Sequence, residues 1–261
     1  MATNTVRIGA VGDFHYGRDS RDTLKLLFQA VEDARPDVML LLGDLTDYGT
    51  VDEAQSLTRE LVAGIKVPML AVLGNHDYES NAVDGVRGAL REGGITVLDG
   101  DSCEVKGVGF AGVKGFCGGF GRGALGPWGE EAVKRFVHEA VQESLKLESA
   151  LARLRTSVRI VLLHYAPIVG TVVGEPPEIY PYLGSSRLEE PLGRLGVTAI
   201  FHGHAHRGAP EGRTAAGTPV YNVSLPLLAR LSPHHPLKIV EVNVAASEAA
   251  DLPLPQPTTT R

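Results

Sequence analysis

Only two of the 261 residues are cysteines, Cys103 and Cys117, and they form no CxxC pair. That excludes a disulfide scaffold and a thiolate-built zinc site, and both thiols are expected to be free, as in a reducing compartment. Positive charge is also in short supply: 25 Lys and Arg face 31 Asp and Glu, for a formal charge of -6. Such a balance lacks the basic track that a broad grip on polyanions needs, so no stable nucleic-acid binding is expected. A small phosphate-bearing substrate stays compatible, because bound divalent cations reverse the local sign. No apolar run is long enough to span a membrane, and the opening MATNTVRIGAVGD has no basic stretch ahead of an apolar core. The expectation is a cytoplasmic protein without a membrane segment. The glycine-rich stretch 115–129 contains GGFGRG but no GK[ST] ending, which sets it apart from a phosphate-cradling loop.

What is present is the pattern of a layered α/β protein. An apolar run at 6–11 reads as a strand, and Leu24, Leu27, Phe28, Val31 and Ala34 repeat at helical spacing over 23–34. Pro36 stops that helix, and the continuous apolar run 38–42 suits a strand covered on both faces. Thr50 and Glu53 have capping-box spacing for a helix reaching about residue 63. A strand over 67–73 and a helix over 82–90 continue the alternation. From 95 to 112 short strands broken by Gly and Asp indicate a hairpin or sheet edge, hence a mixed sheet. A long helix is expected over 130–155, a strand over 158–164, a short helix over 188–195, and strands over 197–202, 219–223 and 238–244. The Pro- and Tyr-containing connection 169–184 has the length of a pocket-shaping loop. With no repeat, heptad seam or linker, residues 1–246 read as a single domain and the Pro/Thr-rich 247–261 as a disordered tail.

Five polar clusters each follow an apolar strand: Asp13-Phe14-His15, Gly43-Asp44, Gly74-Asn75-His76-Asp77, His164, and Gly203-His204-Ala205-His206. Residues just past the carboxyl ends of strands in an open α/β sheet converge on one crevice. Asp13 with His15, and His204 with His206, would share a side in extended backbone, so each pair could clasp one ion. Carboxylate, imidazole and amide donors suit Mn, Fe or Zn.

DFH, GDLTD, GNHD, a lone HY and GHAH, in that order between residues 13 and 206, resemble the five motifs of the calcineurin-like metallophosphoesterase superfamily. The resemblance implies a four-layer sandwich of mixed β-sheets flanked by helices. It implies Asp13, His15 and His206 on one metal, Asn75, His164 and His204 on the other, and Asp44 bridging. A hydroxide made available by two such cations would attack phosphorus in line. His76 is left over as a catalytic group able to bind phosphate oxygen or protonate the leaving alkoxide, and Asp47 resembles the acid that orients it.

One departure narrows the substrate. Where protein Ser/Thr phosphatases of the superfamily carry GDxVDRG, this chain has GDLTDYG, with Tyr48 in place of the phosphate-gripping Arg. The set looks more like the bacterial branch that includes cyclic-nucleotide phosphodiesterases, so the expected substrate is a small phosphomonoester or phosphodiester, nucleotides included. A nuclease and a non-catalytic metal-binding scaffold are the alternatives, and the oligomeric state, a dimer included, is left open. His202, with the parity of His204, reads as a supporting residue; His138, His234 and His235 lack metal-like spacing. Arg122, Tyr180 and Tyr182 lie in loops that could reach substrate but equally suit solvation or packing.

Overall fold

The computed structural model describes residues 3–17 and 21–245, so the tail expected over 247–261 lies outside the described residues. The chain opens with β1 (Thr3–Val11), α1 (Arg21–Ala34), β2 (Val38–Leu42), α2 (Val51–Gly64), β3 (Met69–Val72) and α3 (Val83–Glu92). All five residues of β2 are buried, as a strand covered on both faces requires. The capping box at α2 is formed: the Glu53 amide donates to Thr50 Oγ1, and the Glu53 carboxylate accepts from the Thr50 amide at 3.0 Å.

The segment read as a hairpin or sheet edge turns out to be both. β4 (Thr96–Val97) closes one edge of a first sheet, whereas β5 (Asp101–Val105) and β6 (Val108–Gly112) form the antiparallel hairpin that starts a second. There follow α4 (Glu131–Arg153), β7 (Val158–Leu162), α5 (Tyr180–Leu183), β8 (Ala199–His202), β9 (Glu211–Arg213), β10 (Pro219–Asn222), α6 (Leu225–Leu231) and β11 (Lys238–Ala245). The first sheet runs β11-β1-β2-β3-β4, with only β11 antiparallel to its neighbour. The second runs β5-β6-β7-β8-β10-β9, parallel inside and antiparallel at both edges.

Period-two alternation in the second sheet decides the layering. Phe110, Ile160, Leu162, Ala199 and Phe201 face the first sheet and join its core of Ile8, Ala10, Leu40 and Leu42. Their neighbours Ala111, Val161, Leu163 and Ile200 point the other way, onto Leu147, Ala150 and Leu151 of α4. Apolar faces of α1, α2 and α3, carried by Leu24, Leu57, Leu61 and Leu90, cover the outer side of the first sheet. The result is the expected four-layer mixed α/β sandwich, helices outside. A fully buried side chain such as Phe110 or Phe201 contributes about 1.5–3 kcal/mol by leaving water. Among the described residues no helix is long and apolar enough to cross a membrane.

One expectation needs correction. The helix read over 188–195 is a 3-10 turn at Ser186–Leu188 followed by turns. Leu188 and Leu192 are buried at helical spacing, but Pro191 supplies no amide and the amides of Glu189, Leu192 and Arg194 bond three residues back. The short helix α6 and the exposed three-residue strand β9 were not foreseen, because neither is long enough to show a period.

Candidate metal centre

The parallel strands β1, β2, β3, β7 and β8 deliver the five polar clusters to one end of the two sheets, where their loops are tied together. Past β1 the Gly12 amide reaches Val223 O, and the amides of Asp13, His15 and Tyr16 bond Gly43 O, Asp44 O and Leu45 O at 2.9–3.1 Å. Past β7 and β8, the amide of Leu163 bonds Phe201 O and that of Gly203 bonds His164 O. The backbone at the site is not extended, contrary to the premise used for the histidine pairs. Asp13, His15, Asp44 and His204 have φ of 59°, 43°, 46° and 68°, left-handed positions that cost about 1–3 kcal/mol each unless the surroundings hold them. The loop-to-loop hydrogen bonds are what hold them here.

The left-handed turn at His204 separates its ring from that of His206, which extended backbone would have set on one side. His206 Nε2 lies 3.1 Å from Asp13 Oδ1, whereas the His204 ring lies 4.8 Å from the ring of His164. Glycine is required at Gly203 for close approach: a Cβ there would sit 2.3 Å from Asp13 Oδ2. Gly43, at φ 81°, has His164 Nδ1 where a Cβ would be, at 2.5 Å.

Three groups of donor atoms result, each within 4.8 Å of one another: Asp13, His15 and His206; His15, Asp44 and His76; and Asp44, His164 and His204. Asn75 joins the last, its Oδ1 3.0 Å from His164 Nε2. All seven residues read from the sequence as ligands are thus gathered at one place. Asp44 is central: Oδ2 faces His15 Nε2 at 3.8 Å, while Oδ1 faces His164 Nε2 at 3.4 Å and accepts the His76 amide at 2.8 Å. Asp13 accepts the amide of His204 on both oxygens, at 2.9 and 3.0 Å, which fixes its plane.

Burial opposes charge on both Asp44 and His164, yet each outweighs that penalty for the other. The carboxyl of Asp44 is held well below the usual range by the His164 imidazolium and its hydrogen bond, and His164 is pushed up to about 9 by Asp44. His164 Nδ1–H donates to Leu42 O at 2.9 Å, which aims Nε2 at the site. That nitrogen must lose its proton to act as a ligand. Burial, then the charge of His164, lowers half-buried His204 to about 4, so it is neutral and ready to donate a lone pair. Burial also lowers His15, against the pull of Asp44 and Asp13; His206 is raised, Asp13 overcoming its desolvation. An oxygen and nitrogen donor set with carboxylates at its centre and no sulfur fits hard or borderline divalent cations.

The relation of His76 to Asp47 differs from the expectation. His76 Nδ1 is 2.7 Å from the main-chain carbonyl of Asp47 but 3.8 Å from its carboxylate, which lies closer to His15 Nδ1, at 3.4 Å. The backbone therefore orients His76, and the carboxylate sits between two histidines. The residue that the sequence did not single out is Asp77. It is wholly buried and accepts four hydrogen bonds, from the amides of Gly74, Leu45 and Thr46 and from Thr46 Oγ1. Burial pushes its pKa up while the four donors favour the carboxylate. It fastens the loop of Asp44 to the loop of Asn75 and His76.

Other residues considered in the sequence lie apart. His202 is buried in β8, between Gly203 O at 2.7 Å and Thr171 Oγ1 at 2.8 Å, and burial lowers it to about 4. Tyr182 is exposed, but its carbonyl meets His204 Nε2 at 3.1 Å. Arg122 and His138 face solvent, and His235 lies 3.8 Å from Asp33. Cys103 and Cys117 are free thiols.

Comparison with known proteins bears on the family and the fold. Over 96 residues the chain is 34% identical to an Arabidopsis thaliana protein described as probable inactive purple acid phosphatase 28. That match takes in 29% of this chain and 24% of the relative, so the chain spans about a quarter of the curated protein it matches. Its fold is similar to that of phosphopantetheinyl hydrolase (PptH) from Mycobacterium tuberculosis, with a TM-score of 0.65 and 16% identity, over 97% of this chain and 98% of the other. TT1561 of Thermus thermophilus shares the fold at a TM-score of 0.56 and 15% identity, over 93% of this chain and 100% of the other. The model of the calcineurin-like phosphoesterases matches residues 6–208, and the chain belongs to that family.

Proposed function

We propose that this chain hydrolyses small phosphoesters at a two-metal centre, with Asp13, His15 and His206 holding one ion and Asn75, His164 and His204 the other. The observation that carries the reading is Asp44, whose two oxygens face different histidine groups, the arrangement a bridging carboxylate needs. Two bound cations would supply Lewis-acid charge to the phosphoryl oxygens and a nucleophile from water at neutral pH. The chain's own residues do the rest. Asp77 keeps the Asp44 and Asn75 loops in register. His76, with its side chain 37% exposed and Nδ1 taken by Asp47 O, has Nε2 left for the substrate. From that position its ring would donate a hydrogen bond to the phosphoryl group or a proton to the departing alkoxide.

Residues 1–246 would act as one catalytic unit on monoesters or diesters, nucleotides among them. The acidic chain supports a small substrate over a nucleic acid. The test is a screen of monoesters, linear diesters and cyclic nucleotides against protein loaded with Mn, Fe or Zn, read as kcat/KM. Turnover that vanishes in Asp44→Ala and falls sharply in His76→Ala is expected. No turnover with any metal would overturn the proposal in favour of a binding scaffold.

A further inference from the structure

Lys114, just past β6, has surroundings that neither the metal centre nor the fold accounts for. Its ammonium lies over three aromatic rings, 4.9 Å from the centroid of Phe116, 5.3 Å from Tyr165 and 5.5 Å from Tyr78. It donates to Gly115 O at 2.8 Å, one of its three N–H groups, and among the described residues forms no ion pair with a carboxylate. The nearby carboxylate of Glu143 is already engaged, by Lys146 at 2.6 Å and the Gly115 amide at 2.8 Å. Burial pulls the Lys114 pKa down, against the pull of Glu143 and Glu139, so keeping this charge half-buried is a cost that the ring faces only partly offset.

The cage is attached to the metal centre on both sides. Tyr78 belongs to the turn that begins at His76, and Tyr165 follows His164, its ring 4.6 Å from the ring of His204. The Lys114 carbonyl also receives the amides of His164 and Tyr165. The Tyr165 ring thus neighbours both groups, 5.3 Å from the ammonium and 4.6 Å from the ring of His204. We propose that Lys114 is a specificity-determining residue that receives a second phosphate group carried by the substrate, beyond the phosphoester held at the metals. The inference rests on the proposed phosphoesterase activity. Within that activity it selects bisphosphorylated substrates.

The test uses a matched pair, the 5′-(p-nitrophenyl phosphate) of thymidine with and without a 3′-phosphate, and bis(p-nitrophenyl) phosphate as a substrate without a second phosphate. Metal-loaded wild-type protein should have a KM roughly ten-fold or more lower for the 3′-phosphorylated member, the scale of one charge-assisted hydrogen bond. Lys114→Gln should erase that preference, leave kcat and the bis(p-nitrophenyl) phosphate rate unchanged, and Lys114→Arg should restore part of it. Calorimetric titration with thymidine 3′,5′-bisphosphate and with the 5′-monophosphate should show the same gap in wild type and its loss in Lys114→Gln. Turnover without a preference, or a Lys114→Gln defect shared equally by all three substrates, overturns the inference alone. Absence of turnover in wild type overturns the phosphoesterase reading and the inference with it.

Discussion

Replacing Asp77 with alanine should unfasten the metal centre without removing any candidate ligand. The side chain is wholly buried, and each oxygen accepts two donors: Thr46 N and Thr46 Oγ1 at 2.9 and 2.7 Å on Oδ1, Leu45 N and Gly74 N at 3.3 and 2.8 Å on Oδ2. Hydrogen bonds to a charged group are each worth about 1.5–3 kcal/mol, and they do not add independently. Alanine leaves four buried donors without their acceptor, a loss on the scale of a broken buried ion pair, about 3–5 kcal/mol. At roughly 2–4 °C per kcal/mol for a domain of 150–250 residues, the melting temperature of the metal-free protein should fall by about 6–20 °C. Asp77→Asn keeps the volume but turns an amide toward two N–H donors, so it should fall between wild type and alanine. Because Asp44 and Asn75 lie on the two loops concerned, affinity for Mn or Zn should drop about 10–100-fold in Asp77→Ala. Melting followed by circular dichroism and metal titration by calorimetry measure the two effects. A loss of stability below about 1 kcal/mol, on the low side of a single such bond, or unchanged metal affinity in a destabilised variant, would refute the reasoning.

Further outcomes follow from the same geometry. Gly203→Ala, which drives a Cβ into Asp13 Oδ2, should lower metal affinity by at least about ten-fold with the chain still folded, as seen by titration and circular dichroism; wild-type affinity would contradict the close-approach argument. Because the carbonyl and not the carboxylate of Asp47 holds His76, Asp47→Asn should keep kcat within about five-fold, while His76→Ala should lose about 100-fold or more; equal losses would restore a carboxylate-to-histidine pairing. Burial, then the charge of Glu104, pushes the Cys103 thiol up to about 11, so its thiolate is scarce at neutral pH and accumulates only in alkali. Iodoacetamide should label Cys103 on the order of 100-fold more slowly than free cysteine at pH 8 and faster as pH approaches 11; rapid labelling at pH 8 would contradict its burial.

Much of the site was legible in the sequence because its donors sit just past apolar runs, and in parallel α/β sheets those positions converge. The alternation of runs and periodic helices was enough to place β1 through α3 and the long helix α4. What was hidden depends on tertiary context. Nothing local in DFH or GHAH signals that Asp13, His15 and His204 take left-handed backbone, since that conformation is stabilised by hydrogen bonds between loops distant in the chain. Asp77 looked like an ordinary polar residue at a turn, because three of its four donors, on Leu45 and Thr46, lie on a distant segment of the chain. The stretch 188–195 carried buried leucines at helical spacing, and the missing amide of Pro191 decided the outcome. Lys114 was equally silent: two of its three rings, Tyr78 and Tyr165, come from parts of the chain that reach it only after folding.

The central claim is that one buried carboxylate joins two cation sites. Anomalous diffraction from crystals of the Mn-loaded protein tests it most directly. Two peaks are predicted, one among Asp13, His15 and His206 and one among Asn75, His164 and His204, with Asp44 giving an oxygen to each. A single peak, or two peaks that do not share Asp44, would contradict the account.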